Sequence, residues 1–281
     1  MKVLKSTGVA LTGLVLALNM NFNSQSVSAN YNATESIATE EGHIISIGEP
    51  SLKEFKLFKA LTSSSSDLEY ENEILNEEDL ESITQKITVN TDKNDFSIEV
   101  PVELNQNESI ILYEDEEGNT YNSANIVDLN GDSLAVIDIT IEDALLSTSV
   151  NDNTLTIDVD SENNEPVEIQ VMAAAASFGT YFSSGKWITR DGIVSLSLTH
   201  KPYLTSASDV GEAGVKKKDS WSKVKTRFSS SVNWKNTAGL EKQFNCHFDF
   251  AKFKNPWNIE PARPNTSYAH HVANACNPPI K

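Results

Sequence analysis

The chain has 281 residues, 39% of them hydrophobic, and a formal net charge of −18 at pH 7. That apolar content is ordinary for a folded protein, supports a real core, and at about 150 residues per domain gives one or two domains. After the first 29 residues no apolar run is long enough to anchor the chain in a bilayer.

The charge is divided. Residues 30–171 hold 33 Asp and Glu against five Lys, a net of −28, whereas residues 172–281 hold 15 Lys and Arg against seven acids, a net of +8. The overall acidity thus hides a basic C-terminal part. The change falls at Met172–Ser177, "MAAAAS", which reads as a low-complexity joint.

In chain order, Lys2 and Lys5 precede the apolar run Gly8–Met20, and "SVSA" ends at Ala29. This is the pattern of a secretory signal peptide cleaved after Ala29. The expected setting is secreted or extracellular, with no transmembrane anchor. Residues 30–80 read as an acidic flexible segment, because "SSSSDLEYENEILNEEDLES" has little to bury. A short helix is expected over Pro50–Leu61, where Leu52, Phe55, Phe58 and Lys59 fall at helical spacing.

Residues 81–171 form a run of short Ile- and Val-rich segments divided by "KND", "EEGN", "LNGD", "NDN" and "SENNE". This predicts an acidic antiparallel β-sandwich or meander. Asp128–Asp132 resembles a calcium loop superficially, but Gly131 stands fourth rather than sixth and no Glu follows at the required place. Asn130-Gly131 reads instead as a type I′ hairpin turn.

Residues 172–281 predict a basic α+β domain, so the whole chain is mainly β with an α+β C-terminal end. Asp191-Gly192 marks a hairpin. Beyond it Val194, Leu196 and Leu198 share one strand face and Ser195, Ser197 and Thr199 the other, with Trp187 on the partner strand. Trp221, Val224 and Phe228 then fall at helical spacing, with Asp219 as the expected N-cap. Lys216, Lys217, Lys218, Lys223, Lys225 and Arg227 form the solvent side of that helix, either a solvated face or a polyanion-binding patch. "QFNCHFDFAKF" alternates, which predicts a strand with Phe244, Cys246, Phe248 and Phe250 inward and His247 on the polar face. "NTSYAHHVANAC" predicts a final helix capped by Asn265 or Thr266, with Tyr268, Val272 and Cys276 on one stripe. Two inward-facing cysteines in an exported chain predict a Cys246–Cys276 disulfide that clamps this last helix onto the sheet.

"PWNIEPARP" carries three prolines that fix the backbone and hold Trp257, Glu260 and Arg263 in set directions. The two readings are a buried Trp with a Glu–Arg structural pair, and a ligand site on a rigid loop. Catalysis would have to use His247, Glu260, Arg263 or His271. Adjacent His270 and His271 diverge by about 100° on a helix, so a metal site is not expected, nor is a cofactor. No Gly-x-Ser-x-Gly, HExxH or P-loop pattern is present.

"YFSSGKWITRDGIVSLSL", Trp221, "FNCHFDFA", "PWNIEPARP", Tyr268 and "VANACNP" resemble the C-terminal module of secreted bacterial proteins named Domain of Unknown Function 2599. The resemblance covers roughly residues 178–279 and implies no catalytic residue. The acidic region is similar to N-terminal regions attached to various modules in secreted proteins of Gram-positive bacteria. Two functions are open. One is a non-catalytic module that binds an anionic cell-envelope polymer or another exported protein; nucleic acid is not an expected partner outside the cell. The other is a secreted hydrolase or antagonistic toxin using the "WNIEPARP" segment and a histidine. The charge division adds an expectation that the acidic part screens the Lys216–Arg227 surface.

Overall fold

The computed structural model describes residues 35–53, 67–91, 93–142, 144–161 and 165–280. The expected leader and its expected cleavage point lie outside the described residues, as do Phe55, Phe58 and Lys59 of the expected Pro50–Leu61 helix; Ser51–Leu52 of that stretch form a strand. The described parts of residues 30–80 are strands rather than a structureless tether: β1 (Ser36–Ala38), β2 (Ile44–Ile47), β3 (Ser51–Leu52) and β4 (Asp67–Glu77). The acidic side chains of β4 stand on an exposed edge strand, so they need no core of their own.

The acidic half continues with β5 (Leu80–Asn90), β6 (Asp95–Glu103), β7 (Ser109–Glu114), β8 (Thr120–Val127), β9 (Ser133–Ile141), β10 (Leu145–Asn151), β11 (Thr154–Asp160) and β12 (Val167–Ala176). One antiparallel sheet runs β1-β2-β6-β11-β10, with β3 also on β6; the other runs β4-β5-β12-β9-β8-β7. Inward residues of both sheets, among them Ile45, Ile98 and Ile157 from one and Ile83, Ile137 and Ile169 from the other, form one buried core. This is the expected sandwich.

The "MAAAAS" stretch is not a joint. Met172–Ala176 complete β12, an interior strand paired on both sides, and Ala173 to Ala176 are all buried. Alanine is a poor strand former, but here tertiary packing overrides propensity. Ala173 and Ala175 face the sandwich core, Ala174 packs with Val136 and Val215, and Ala176 enters the next core along.

After a short helix, α1 (Phe178–Tyr181), comes a three-stranded sheet of β13 (Phe182–Arg190), β14 (Ile193–His200) and β15 (Trp257–Ile259). Between the last two strands lie α2 (Pro202–Thr205), α3 (Val210–Phe228) and α4 (Thr237–Phe250); α5 (Tyr268–Ala273) follows β15. Leu196, Leu198, Trp257 and Ile259 pack against Trp221 and Val224 of α3 and Leu240, Phe244 and Phe248 of α4. Asp191 and Gly192 both have positive φ (51° and 75°), as the β13–β14 hairpin turn requires. At Asn130-Gly131 only the glycine does, so that turn is not type I′. Asp128 closes it, its Oδ1 accepting from the Asn130 and Asp132 N–H groups at 2.8 and 2.9 Å.

Three local expectations are corrected. The Lys-rich helix starts ten residues earlier than an Asp219 cap suggests: Asp209 is its N-cap and accepts from the Glu212 N–H. Gly211 and Gly214, poor helix formers, disguise that first turn. A Cβ on Gly214 would stand 2.1 Å from the Tyr113 ring, and one on Gly211 2.6 Å from Tyr121, so close approach to the sandwich demands glycine. The "QFNCHFDFAKF" segment is helix, not strand. Leu240, Gln243, Phe244, His247 and Phe248 recur at i, i+3, i+4, i+7 and i+8 and are all buried, while Phe250 is exposed. The polar face of β14 is covered as well, with Ser195 and Ser197 buried.

Helix α3 is the hinge-pin between the halves. Asp219 is fully buried and accepts from the Ser133 and Tyr181 hydroxyls, each at 2.7 Å. Asn125 donates to the Val215 carbonyl at 3.1 Å, and the Ser222 hydroxyl accepts from the Ser133 N–H at 2.9 Å. Lys223, with a side chain 2% exposed, donates to the Leu134 carbonyl at 3.0 Å and stands 3.9 Å from Asp219 and 3.8 Å from Glu41.

Candidate functional site

The rigid "WNIEPARP" segment forms a closed polar centre. Strand β15 ends at Ile259, leaving the Glu260 backbone without a strand partner. Gln243 of α4 supplies one: its Oε1 accepts from the Glu260 N–H and its Nε2 donates to the Glu260 carbonyl, both at 3.0 Å. The Glu260 side chain, 2% exposed, takes Arg263 Nε on one oxygen at 2.6 Å, and Ser195 Oγ and Arg190 Nη2 on the other at 3.0 and 3.5 Å. Arg263 reaches on with Nη1 to the carbonyls of Asn277 and Pro278, at 3.2 and 2.8 Å. Asn236, just before α4, donates to the Arg263 carbonyl at 2.7 Å. Both Glu260 oxygens and the Arg263 Nε and Nη1 atoms thus face groups of the same chain, whereas the Arg190 side chain is exposed over more than half of its surface.

Trp257 is fully buried, with Nε1 donating to the Ala251 carbonyl at 3.1 Å. His200 and His247 flank its ring at centroid distances of 4.6 and 6.1 Å. His247 is 4% exposed and donates from Nε2 to the Asn258 carbonyl at 3.3 Å. Burial pushes its pKa down to about 4, so it is neutral at physiological pH. His271 is fully buried, with Nδ1 3.1 Å from the Ser267 carbonyl; His270 is exposed. Among the described residues no hydrogen bond joins either buried histidine to Glu260 or Arg263, and no cluster of His, Cys, Asp and Glu has the geometry for a metal.

Cys246 and Cys276 form the expected disulfide, with Cα atoms 5.4 Å apart. It joins α4 to the turn after α5, not a helix to a sheet. Helix α5 is capped by Ser267, not by Asn265 or Thr266, and Cys276 lies beyond its end at φ 69°.

The basic residues of α3 do not form a free face. Lys216 pairs with Glu212 at 2.5 Å and lies 4.1 Å from the Tyr203 ring centroid; Lys217 pairs with Asp249 at 3.0 Å. Lys223 is buried as described, Lys225 pairs with Asp132, and Arg227 stacks on Phe178 at 4.6 Å. Lys218 is half-buried, which lowers its pKa. The sequence placed these side chains in water because lysine usually stands there; instead Lys223 and Lys225 meet the sandwich at Leu134 and Asp132, Lys216 and Lys217 meet acids within the C-terminal part, and Arg227 alone of the paired or stacked residues stays exposed. Glu260 and Arg263 are brought together, Trp257 is buried in the neighbouring aromatic cluster, and Lys216 and Lys223 are buried. Sequence reasoning missed Gln243, Ser195 and Arg190 as partners of Glu260. Gln243 becomes visible once α4 is read as a helix, being the polar member of its apolar stripe.

Residues 182–279 match a family described as "Protein of unknown function (DUF2599)". "Uncharacterized protein Mb0487" of Mycobacterium bovis and "Uncharacterized protein Rv0477" of Mycobacterium tuberculosis are each 41% identical over 46 residues, which is 15% of this chain and 31% of the relative. The match therefore spans less than a third of those proteins. No solved structure matches.

Proposed function

We propose that this is an exported, non-catalytic protein whose C-terminal module binds an anionic component of the cell envelope. The observation that carries the non-catalytic reading is the occupancy of the Glu260 centre. A general acid, base or nucleophile needs an atom free to meet a substrate. Both Glu260 oxygens and the Arg263 Nε and Nη1 atoms are engaged within the fold, and His247 and His271 are sealed beneath other side chains. A hydrolase built on these residues would have to dismantle the clasp holding β15 and residues 277–278. The leader pattern and the basic surplus of residues 172–281 support the envelope as the place of action.

The test is retention of solubilised envelope fractions on immobilised residues 30–281, read beside hydrolysis of the same fractions. Retention without hydrolysis is expected. Hydrolysis abolished by Glu260→Gln or His247→Gln in a folded protein overturns the reading in favour of an enzyme. Retention of a single exported protein, with no envelope component, replaces the anionic ligand by a protein partner.

A further inference from the structure

Resting on that reading, we propose that the loop after α4 is the binding surface, and that its ligand is an anionic lipid bilayer. Helix α4 ends at Phe250, and Ala251–Pro256 lead to β15. Phe253 is 83% exposed and Phe250 57%, the only exposed phenylalanines among the described residues. Leu129, Leu145 and Val232 are as exposed, but each stands outside this loop as a lone aliphatic side chain, which is normal for a soluble surface. Two exposed aromatic rings three residues apart, one at the end of α4 and one in the loop that follows, are not.

The loop is held firmly. Ala251 accepts from the Lys254 N–H at 2.9 Å and from Trp257 Nε1 at 3.1 Å. His200 donates from Nε2 to the Lys254 carbonyl at 3.0 Å, and Asn255 exchanges two hydrogen bonds with the His200 backbone at 2.9 and 3.1 Å. Phe253 is thus presented to solvent by a fixed backbone, and ordering entropy need not be lost on binding.

Charge selects the partner. Lys252 and Lys254 flank Phe253, and among the described residues neither belongs to an ion pair. Lys252 lies 4.6 Å from the Phe248 ring centroid. The adjacent carboxylate, Asp249, is already engaged by Lys217 at 3.0 Å and by the Tyr268 hydroxyl. Aromatic rings alternating with free ammonium groups match a headgroup layer: the rings enter the acyl boundary while the lysines meet lipid phosphates. A polyanionic polymer would engage the lysines but leave the rings in water. With a net charge of −18 the chain as a whole is not drawn to an anionic surface, so attraction must come from a local basic surface of residues 172–281, and this loop supplies one beside exposed rings.

Residues 30–281 are the protein to test, since the apolar run of residues 8–20 would bind lipid by itself. Co-sedimentation is measured with phosphatidylcholine vesicles containing about one third phosphatidylglycerol, and with phosphatidylcholine alone. Binding is expected to the mixed vesicles. Phe253→Ser should weaken it about tenfold, the worth of one buried aromatic ring. Lys252→Glu with Lys254→Glu should reduce it on mixed vesicles and leave the residual binding to neutral ones unchanged. All these positions are on the surface, and unchanged melting confirms that the variants fold. Wild-type partition of both Phe253→Ser and Phe250→Ser overturns the loop assignment. Retention of envelope polymer by a protein that ignores vesicles overturns the lipid and keeps the binding-module reading. No binding to any envelope fraction overturns both.

Discussion

Lys223→Met tests whether the two oppositely charged halves are welded by a buried network rather than drawn together by surface charge. In the native structure the Lys223 ammonium stands 3.9 Å from the fully buried Asp219 carboxylate and donates to the Leu134 carbonyl. Methionine keeps most of the volume and removes the charge. Asp219 then retains two hydroxyl donors but no neighbouring cation except through water it cannot reach. Removing one partner of a buried pair costs about 3–5 kcal/mol. For a chain of this size that is a fall in melting temperature of about 6–20 °C. Lys218→Ala, on a half-buried lysine that joins no ion pair among the described residues, should change it by less than about 2 °C. The pH dependence gives a second check. Burial raises the Asp219 pKa above 3.8, so the folded protein holds that proton more tightly than the unfolded chain. Stability from this group is therefore present at low pH and lost as pH rises through the folded value. Without Lys223 the rise is larger. The deficit of Lys223→Met against wild type should shrink as pH is lowered from 7 to 5, and adding Asp219→Asn should restore part of it at pH 7. A Lys223→Met protein that melts within 2 °C of wild type at pH 7 refutes the weld and returns Lys223 to a solvated surface.

Arg263→Ala should cost about 3–5 kcal/mol, and Arg263→Lys should not rescue it, because a single ammonium cannot bridge Glu260 and the two tail carbonyls; thermal melts and proteolysis near residue 277 read both effects. His247, whose pKa falls from 6.5 to about 4 on burial, stabilises the fold above pH 6.5 and loses that contribution as pH falls towards 4. The full shift is worth about 3 kcal/mol, so His247→Gln should flatten the stability profile over that range, as chemical denaturation at a series of pH values will show. Cys276→Ser should cost about 3–4 kcal/mol by releasing a 30-residue loop, with non-reduced peptide mapping of the wild type as the control.

The sandwich was legible because its strands carry their own signature: Ile and Val in short runs, with turn residues between. The disulfide was legible because two cysteines leave one pairing. What escaped notice depends on contacts between distant residues. The phenylalanines and cysteine of residues 244–250 alternate by accident of composition, and the helical stripe becomes plain only when Leu240 and Gln243 are counted with them. The alanines of 172–176 look like a spacer until their partners are known: Ala173 and Ala175 fill the sandwich core while Ala174 packs against Val215 of α3. The lysines of α3 followed the usual rule of exposure, and no local pattern announces that Leu134, Asp219 and Asp132 wait for them. The proline-framed segment drew attention to Glu260 and Arg263, but the Gln243 and Ser195 partners of Glu260 lie 17 and 65 residues away.

Strand β12 hands its side chains to three different cores within four alanines. The stretch that a sequence comparison delimits, residues 182–279, is therefore narrower than the packed unit that contains it. If such a module is transplanted beside an unrelated neighbour, the grooved flank of α3 at Gly211 and Gly214 goes with it. That flank must be given new rings to sit against, or it will recruit them from whatever it meets.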